Sequence, residues 1–430
     1  MSASAAASAA RQAQPAWRDP SSWTKAADLV AILIALSLPW STSLVSIFVV
    51  FWVIALTPTL DLDAFVASLK RAICALPVAL FALAVVGTLW SDATWGARTY
   101  ALSPVSKLLV LPLLLYHFER STRGIWVLVA FLVSCILLMG MSWIVAFYPS
   151  LALKPEAQYG VPVKNYIDQS QEFALCAVAL AYPVMTLLRM GKKWSAAALA
   201  SIASLIVINM IFVTVSRTAL VTMPIMVAVF AMLHLKWRTN LAIFLVAIVL
   251  ALLAWLSSPR LQSTTETFFS DYFYYKLQDK PTSIGLRLEF WKKSLRFFAD
   301  APIVGHGTGS TRGLFEQVAA SPVGDKALAS SEVIGNPHNQ TLNVAVQWGM
   351  VGVILLYGMW LYHLLLFRGE GLVAWIGLLV VVQNIFTSLF NSHLFDFHEG
   401  WMYVLGVGVA GGTVLGAERR ASVAEGAAPP

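Results

Sequence analysis

The sequence predicts an all-α, polytopic integral membrane protein. Of its 430 residues, 58% are hydrophobic and only 12% are charged, and the mean hydropathy is +0.73. Soluble domains carry about 25% charged residues, so this chain has too little polar surface to be dissolved in water. About twelve windows are apolar over the roughly 18 residues that a helix needs to cross a bilayer. They lie near residues 27–41, 43–59, 72–90, 101–117, 124–147, 168–189, 195–215, 217–235, 239–257, 338–367, 371–392 and 398–416.

The basic residues predict how these spans are oriented. The net charge of +7 does not indicate nucleic-acid binding, because the basic residues are scattered over short connections instead of clustering on one face. They occupy every second connection, and Lys and Arg mark cytoplasmic loops. We therefore expect those connections and both chain ends to be cytoplasmic. The residues are Arg11, Arg18, Lys25, Lys70, Arg71, Arg120, Arg123, Arg189, Lys192, Lys193, Lys236, Arg238, Arg368, Arg419 and Arg420.

The spans divide the chain into five segments. Residues 1–26 are predicted to be a disordered, low-complexity cytoplasmic N-terminus, and 27–257 carry transmembrane helices 1–9. Residues 258–337 form one large outward loop, 338–416 carry helices 10–12, and 417–430 are a cytoplasmic tail. The cysteines fall inside predicted spans, which favours core packing over a disulfide or metal site. They are Cys74, Cys135 and Cys176.

The loop at 258–337 is the expected location of function, because structureless loops of this length are rare in compact proteins. The stretch FFSDYFYYK (268–276) is typical of an aromatic belt at headgroup level. Residues 285–302 predict an amphipathic helix that stops before Pro302. Its apolar positions are Leu288, Trp291, Leu295 and Phe298. The loop also carries basic residues that suit an anionic lipid headgroup: Arg260, Lys276, Lys280, Arg287, Lys292, Lys293, Arg296, Arg312 and Lys326.

Arg217 lies in the segment Ser216-Arg217-Thr218, between two apolar runs with almost no loop. An arginine at the membrane boundary is costly unless it meets a counter-charge or a ligand. The alternative is an arginine that snorkels to the surface or is satisfied by backbone carbonyls. The position therefore marks Arg217 as a candidate anion-binding residue.

His338 lies at the threshold of the tenth predicted span. Asn336 suits an N-cap and Pro337 a first helical position, which would place His338 and Asn339 inside a helix running to about Phe367. The positive end of that helix would disfavour imidazolium, so we expect a neutral histidine able to act as a general base. The alternative is an interfacial histidine bonded to a neighbour.

Three segments in order carry a resemblance: SRTAL (216–220), RLEFWKKSLRFFADAPIVGHGTGS (287–310) and PHNQTLNVAVQWGMVG (337–352). Together, over roughly residues 210–355, they resemble the bacterial O-antigen ligase and polymerase family. The spacing from His338-Asn339 to Gly349 and Gly352 is similar to the ligase signature.

The resemblance implies a fold related to the C-type membrane glycosyltransferases. It also implies metal-independent, inverting transfer of a glycan from undecaprenyl pyrophosphate to lipid A-core, without a cofactor, on the periplasmic side of the inner membrane. The family's essential arginines and histidine map onto Arg217, Arg287 and His338. Guanidinium groups can take the charge that develops on a departing diphosphate. We therefore expect Arg217, Arg287 and Asn339 to bind substrate and His338 to be catalytic.

Competing functions remain open at this stage. An O-antigen polymerase would use the same kind of donor, and a protein O-oligosaccharyltransferase would transfer the glycan to a polypeptide. A transporter of lipid-linked glycans is a different class. Transporters commonly have internal repeats and broken midplane helices, and we find no convincing repeat in this sequence.

Several other motifs carry weaker signals. Asp61-Leu62-Asp63 resembles the Asp-x-Asp metal motif of glycosyltransferases, but its predicted side is cytoplasmic. His393, Asp396 and His398 could bind zinc together with His338 or His306; contacting sugar or supporting His338 is the favoured alternative. Gly305–Gly309 predicts a tight turn; Asn165, Gln169 and Gln171 predict either cavity lining or capping; Lys154 and Lys164 predict contact with lipid or solvent.

Overall fold

A computed structural model describes residues 20–154, 158–278, 282–320 and 332–426. Within these ranges the chain forms helices, turns and short connections, and no strand occurs in them. The helices are α1 Pro20–Ser37, α2 Thr42–Leu56, α3 Leu62–Leu69, α4 Ala72–Val86, α5 Trp95–Ser106, α6 Val110–Arg120, α7 Gly124–Phe147, α8 Tyr166–Ala179, α9 Ala181–Arg189, α10 Lys193–Phe212, α11 Arg217–His234, α12 Trp237–Ser257, α13 Pro259–Gln278, α14 Ser283–Asp300, α15 Ser310–Ala320, α16 Gln340–Leu366, α17 Leu372–Thr387 and α18 Phe397–Gly426.

The structure confirms the all-α, polytopic membrane architecture. Among the described residues, 9 helices are long and apolar enough to cross a membrane, or up to 10 if the pair α3–α4, bent by 82°, is one span. The pairs α5–α6 and α8–α9 each count as a single span, and α17 is a shorter apolar helix. The predicted number of about twelve spans is therefore not confirmed, although each predicted window contains a helix.

The helices at the two ends of the chain extend beyond their predicted limits. The first helix begins at Pro20 instead of residue 27, and the last continues to Gly426 instead of ending near residue 416. Parts of the predicted N-terminal segment and C-terminal tail are thus helical. Residues 1–19 and 427–430, including the rest of those predictions, lie outside the described residues.

The core of the bundle lies around α18. Within the apolar window of α18, 72% of the residues are buried, and the helix packs against α6, α7 and α17. By contrast, none of the window of α12 is buried, so that helix turns its whole surface outward. The three cysteines are free and buried, as the sequence predicts. An apolar exterior over a packed interior is what a helix bundle in lipid requires.

The loop 258–337 folds into α13, α14 and α15 at one end of the bundle, which we call the loop end. Helix α14 has nearly its predicted limits, and Thr282 caps it by accepting a hydrogen bond from the N–H of Gly285 (3.2 Å). A small core of Phe290, Phe297, Phe315 and Val346 joins α14 to α15 and α16. The predicted apolar face is not the buried one: Leu288, Trp291 and Phe298 are half-buried, and Leu295 is exposed.

Helix α16 is broken at Gly349. Its backbone angles (φ 59°, ψ −155°) leave the helical region and favour glycine. The turn after α14 fills the break, since the N–H of Met350 donates to the carbonyl of Pro302 (2.8 Å). A Cβ at position 349 would lie 2.3 Å from the carbonyl oxygen of Ile303. This glycine therefore allows the loop segment to lock into α16 and hold α14 at the loop end.

Candidate active site

The first turn of α11 has the features of a candidate anion site. Ser216 is its N-cap, is 2% exposed, and has an Oγ without a hydrogen-bond partner among the described residues. Arg217 follows as the first helical residue, and its Nη1 donates to Oδ2 of Asp271 at 3.1 Å. The arginine thus has the counter-charge that its boundary position requires. Free N–H groups, the helix dipole and a guanidinium together favour a phosphate at this point.

A cavity of about 690 Å³ opens beside this helix end. Its polar walls come from α11, α13, α14 and the segment before α8. The polar and charged residues that line it are Gln158, Tyr159, Tyr166, Ser216, Arg217, Thr218, Arg260, Ser263, Thr264, Thr267, Ser283 and Arg287. A volume of this size is typical of sites for a sizeable organic ligand. Because the charged members are all arginines, the cavity suits an anion.

Arg287 enters the cavity from the second turn of α14. It is half-buried, and it makes no hydrogen bond or ion pair within the described ranges. Burial lowers the pKa of its guanidinium below the usual range, and the positive charge of Arg217 lowers it further. A partly desolvated cation next to a like charge is poised to accept an anionic ligand.

His338 does not begin a helix, which corrects the predicted local structure. The N-cap of α16 is Asn339, whose Oδ1 accepts from the N–H of Leu342 at 3.0 Å. His338 precedes that cap with φ 53°, a left-handed conformation, and its N–H donates to Oδ1 of Asn336 at 2.9 Å. Such a strained conformation in a residue other than glycine often marks a functional position.

The hydrogen bonds of His338 fix which of its nitrogens can act as a base. Nδ1 lies 2.9 Å from Oδ1 of Asn391, and that oxygen also accepts from Nδ2 of Asn336 at 3.1 Å. The amide nitrogen of Asn391 donates to Oδ2 of Asp396 at 2.6 Å. An amide oxygen can only accept, so Nδ1 of His338 carries the proton. Nε2 is then the basic nitrogen, and it makes no hydrogen bond with the described residues.

The surroundings of His338 favour the neutral ring. Burial lowers its pKa below 6.5, the hydrogen bond with Asn391 acts in the opposite direction, and the charge of Arg287 lowers it again. Phe290 stacks on the imidazole with ring centroids 6.2 Å apart. The lowered pKa agrees in direction with the expected neutral histidine. The main cause is desolvation, whereas the sequence had suggested the helix dipole.

The three predicted residues belong to one region of the loop end. Arg217 and Arg287 line the same cavity. His338 is not part of the cavity wall; it stacks on Phe290, one turn after Arg287 on α14. The charge of Arg217 lowers the pKa of Arg287, and the charge of Arg287 lowers the pKa of His338. Arg287 therefore links the cavity electrostatically to the histidine.

Asn339, the fourth predicted residue, is engaged with the protein. Its Oδ1 caps α16, and its Nδ2 donates to the carbonyl of Leu389 at 3.2 Å. The side chain thereby ties the start of α16 to the end of α17 and to the connection that carries Asn391. These two hydrogen bonds fix the residue next to His338.

The predicted zinc set is not assembled. His398 pairs with Asp168 (2.6 Å), and His306 bonds the carbonyl of Phe297 (2.7 Å). A different trio could hold a cation, with ligand atoms within 4.8 Å of one another: His393, Asp396 and Glu399. The ammonium group of Lys107 donates to the backbone carbonyl of Asp396 beside this trio. That positive charge already offsets the acidic pair, which disfavours a further cation.

Burial and neighbouring charges shift the pKa values of Asp396 and His393 in this trio. Burial raises the pKa of Asp396 to about 6, and burial also opposes protonation of His393. The carboxylate of Glu399 outweighs the effect of burial on His393 and raises the pKa of that histidine.

On α8, the buried Glu172 has Lys164 as its counter-ion at 3.5 Å. Lys164 therefore serves as the counter-ion of a buried carboxylate, with only 10% of its side chain exposed, which was not among its predicted roles.

The other predicted motifs have structural roles. Asp61 is the N-cap of α3 and accepts from Ala64 at 3.1 Å, which accounts for the Asp-x-Asp pattern. Asn165 caps α8, and neither it nor Gln169 or Gln171 lines the cavity. The glycine-rich turn is confirmed by positive φ angles of 65°, 87° and 81°. These belong to Gly305, Gly307 and Gly309.

Sequence reasoning missed three residues of the site. Arg260 was counted among the basic residues of the loop, but its place in the cavity comes only from the packing of α13. Asp271 sits within the aromatic stretch at 268–276, where a lone acidic residue was a usable signal for a partner of Arg217. Asn391 lies two residues before His393, a predicted candidate, yet its own amide gave no signal.

Residues 202–357 match the protein family described as O-antigen ligase. This range contains Arg217, Arg260, Arg287 and His338, whereas Asn391 lies beyond it. A protein of Haemophilus influenzae, described as uncharacterized, is 29% identical over 147 residues, which cover 33% of this chain and 36% of the relative. The chain thus matches about a third of the length of that curated relative.

Fold and matched segment together define a polytopic membrane protein whose matched family consists of enzymes of the glycosyltransferase and ligase type. The segment at residues 202–357 is similar to the O-antigen ligase family, in agreement with the resemblance seen in the sequence.

Proposed function

We propose that this protein is an O-antigen ligase of the bacterial inner membrane. It would transfer a glycan from undecaprenyl pyrophosphate to the lipid A-core on the periplasmic side and thereby complete lipopolysaccharide. The observation that carries the proposal is the arrangement of Arg217, Arg287 and His338 at one end of the bundle. That arrangement joins a cationic cavity for a diphosphate to a neutral histidine with a free Nε2.

The diphosphate of the donor binds in the cavity. Arg217 and the first turn of α11 hold one phosphate, with the unpartnered hydroxyl of Ser216 as a further donor. Arg287, which has no partner within the described ranges, holds the phosphate next to the glycan. The lipid tail passes between apolar helices into the membrane. Negative charge grows on the leaving group during the reaction, and preorganised guanidinium groups stabilise it.

His338 activates the acceptor. Nε2 takes the proton of a core sugar hydroxyl as its oxygen attacks the anomeric carbon. The bond between that carbon and the phosphate oxygen breaks, its electron pair stays on the diphosphate, and the attack from the opposite face inverts the anomeric centre. Nδ1 of His338 keeps its proton and donates it to Oδ1 of Asn391, and Asp396, bonded to the Asn391 amide, favours the imidazolium that forms. Asn339 keeps His338 in place by capping α16.

The reaction needs neither ATP nor a metal in this proposal. The lipid-linked diphosphate supplies the driving force, and arginines supply the positive charge that a metal gives in other transferases. The periplasmic location follows from the basic residues on alternate connections, which leave the loop end on the outer side. Lipid A-core carries phosphates, so the basic residues of the loop suit the acceptor as well.

Reconstitution with a lipid-linked glycan donor and a lipid A-core acceptor tests the function. We expect mass spectrometry to find the glycan joined to the core, and His338→Ala and Arg217→Ala to abolish this product at equal protein levels. Longer lipid-linked chains would instead indicate a polymerase, glycosylated protein an O-oligosaccharyltransferase, and substrate moved across the bilayer without a new bond a transporter. Near-normal transfer by either variant would remove its residue from the mechanism.

A further inference from the structure

Arg260 is a third guanidinium in the cavity, and neither the motifs nor the proposed mechanism assigns it a role. It lies in the first turn of α13, on the wall formed by α13, while Arg217 and Arg287 come from α11 and α14. Ser258 fixes the start of α13, because its Oγ donates to the carbonyl of Ile211 at 2.8 Å and accepts from the N–H of Leu261 at 3.2 Å. The position of Arg260 is therefore anchored to the end of α10.

The charges of the cavity do not balance a diphosphate without Arg260. Both phosphates of a diphosphate diester are ionised at neutral pH. Arg217 is already neutralised by Asp271 at 3.1 Å, which leaves Arg287 as the other assigned cation. In a partly water-excluded site an uncompensated charge is costly. Arg260 provides the missing positive charge.

The conformation of Arg260 suits anion binding. Its guanidinium carbon lies 3.6 Å from the centre of the Tyr159 ring, so the group lies over the ring face. Stacking occupies the face of a guanidinium and leaves its N–H edges free to donate in the plane. Arg260 makes no hydrogen bond or ion pair with the residues that the structure describes. The stacked ring thus holds the group flat while its donors remain open to a phosphate.

We propose that Arg260 binds the diphosphate of the donor together with Arg217 and Arg287, and that Tyr159 positions its guanidinium. This inference rests on the proposed function, since it names a further contact for the same lipid diphosphate. It also makes the cavity a three-sided clamp, with one arginine from each of α11, α13 and α14.

Binding of inorganic pyrophosphate to the purified full-length protein in detergent, measured by titration calorimetry, tests this assignment. Inorganic pyrophosphate separates the phosphates from the sugar and the lipid. We expect Arg260→Gln to weaken its binding by about tenfold or more, as the loss of a charged hydrogen-bond donor predicts. Tyr159→Leu should weaken it by a smaller factor, and Tyr159→Phe should leave it unchanged because the ring remains.

Arg312→Gln is the matched control, because Arg312 belongs to the same loop but pairs with Glu316 at 2.9 Å outside the cavity. It should bind pyrophosphate like the wild type. If Arg217→Gln and Arg287→Gln weaken binding but Arg260→Gln does not, the role of Arg260 is overturned while the diphosphate site stands. If the wild type binds no pyrophosphate, the proposed function fails together with this inference. Thermal unfolding of each variant excludes misfolding as the cause.

Discussion

Nδ1 of His338 lies 2.9 Å from the amide oxygen of Asn391, although 53 positions separate the two residues in the chain. This contact joins the segment before α16 to the connection between α17 and α18. Because the amide of Asn391 also donates to Asp396, its oxygen must face the imidazole. The pair therefore sets the tautomer of the proposed base before any substrate binds.

Replacing Asn391 tests this relationship. Asn391→Leu removes the acceptor of Nδ1–H, so the ring can rotate and place its proton on either nitrogen. We expect the transfer rate to fall, at most by the factor of about 10² to 10⁴ that removal of a general base causes. Steady-state kinetics should show the effect in kcat more than in KM, since donor binding does not involve this residue. Asn240→Leu, near the start of α12, is the control; an equal loss there would point to a general effect on folding.

The pH profile of transfer should report the state of His338. Burial holds its pKa below 6.5, the bond with Asn391 raises it, and the charge of Arg287 lowers it. A base works in its neutral form, so the rate should be level at neutral pH and fall only as the pH drops below 6.5 through that lowered pKa. Arg287→Gln removes a lowering influence, so the acid limb should move to higher pH while the overall rate decreases. An unmoved limb in Arg287→Gln would separate the two residues electrostatically.

The break in α16 should depend on glycine at position 349. Gly349→Ala places a Cβ 2.3 Å from the carbonyl oxygen of Ile303 in a backbone conformation that alanine avoids. We expect the free energy of unfolding to fall by about 1–3 kcal/mol or more, the cost of one strained backbone position. A lower unfolding temperature in detergent would show this loss. Gly358→Ala on the same helix has its nearest neighbour, a methyl of Leu76, 3.7 Å away and should change little.

The buried pair of Lys164 and Glu172 should contribute to stability only as a pair. Glu172 has a fully buried side chain, and Lys164 is 3.5 Å away with 10% of its side chain exposed. Lys164→Met leaves a buried carboxylate without its counter-ion, which typically costs about 3–5 kcal/mol. Adding Glu172→Gln should recover most of that loss. Thermal unfolding of the single and double variants measures it, and a double variant no better than the single one would show that the charges do not compensate each other.

Transfer should continue after chelation of divalent metals. In the proposed mechanism the arginines and the first turn of α11 carry the positive charge. We expect the turnover of protein treated with EDTA to equal that of the untreated protein. If activity were lost and then restored by zinc or magnesium, the trio of His393, Asp396 and Glu399 would become the site to examine.

Much of the site could be found in the sequence because its residues violate local expectation. Arg217 interrupts an apolar run with almost no loop around it, and His338 stands at the start of a span. Either placement costs free energy unless the side chain meets a partner or a ligand. Arg287 and the glycine at 349 were identified through the resemblance, and their structural reasons became visible only afterwards: a cavity wall for one and a helix break for the other.

Other parts of the site left no such trace. Arg260 was one basic residue among many in the loop, and its stacking on Tyr159 requires α13 to pack against the segment before α8. The conformation of His338 was mispredicted because Asn336 and Asn339 are both good caps, and a local pattern cannot choose between them. Periodicity likewise indicated the apolar stripe of α14 but not its contacts through Phe290 and Phe297, since a sequence pattern does not identify the partner that covers a face.

The order of residues is enough to establish a helical membrane bundle, its large loop and the arginine and histidine that do not belong in an apolar setting. Hydrophobicity and the cost of burying charge act locally, and so they leave their mark along the chain. Which arginines share a cavity, which nitrogen of His338 is basic and which cap begins α16 depend on contacts between segments far apart in the chain. Such contacts form only when the helices pack, because two groups can interact only when they lie close together in space, whatever their separation in the sequence.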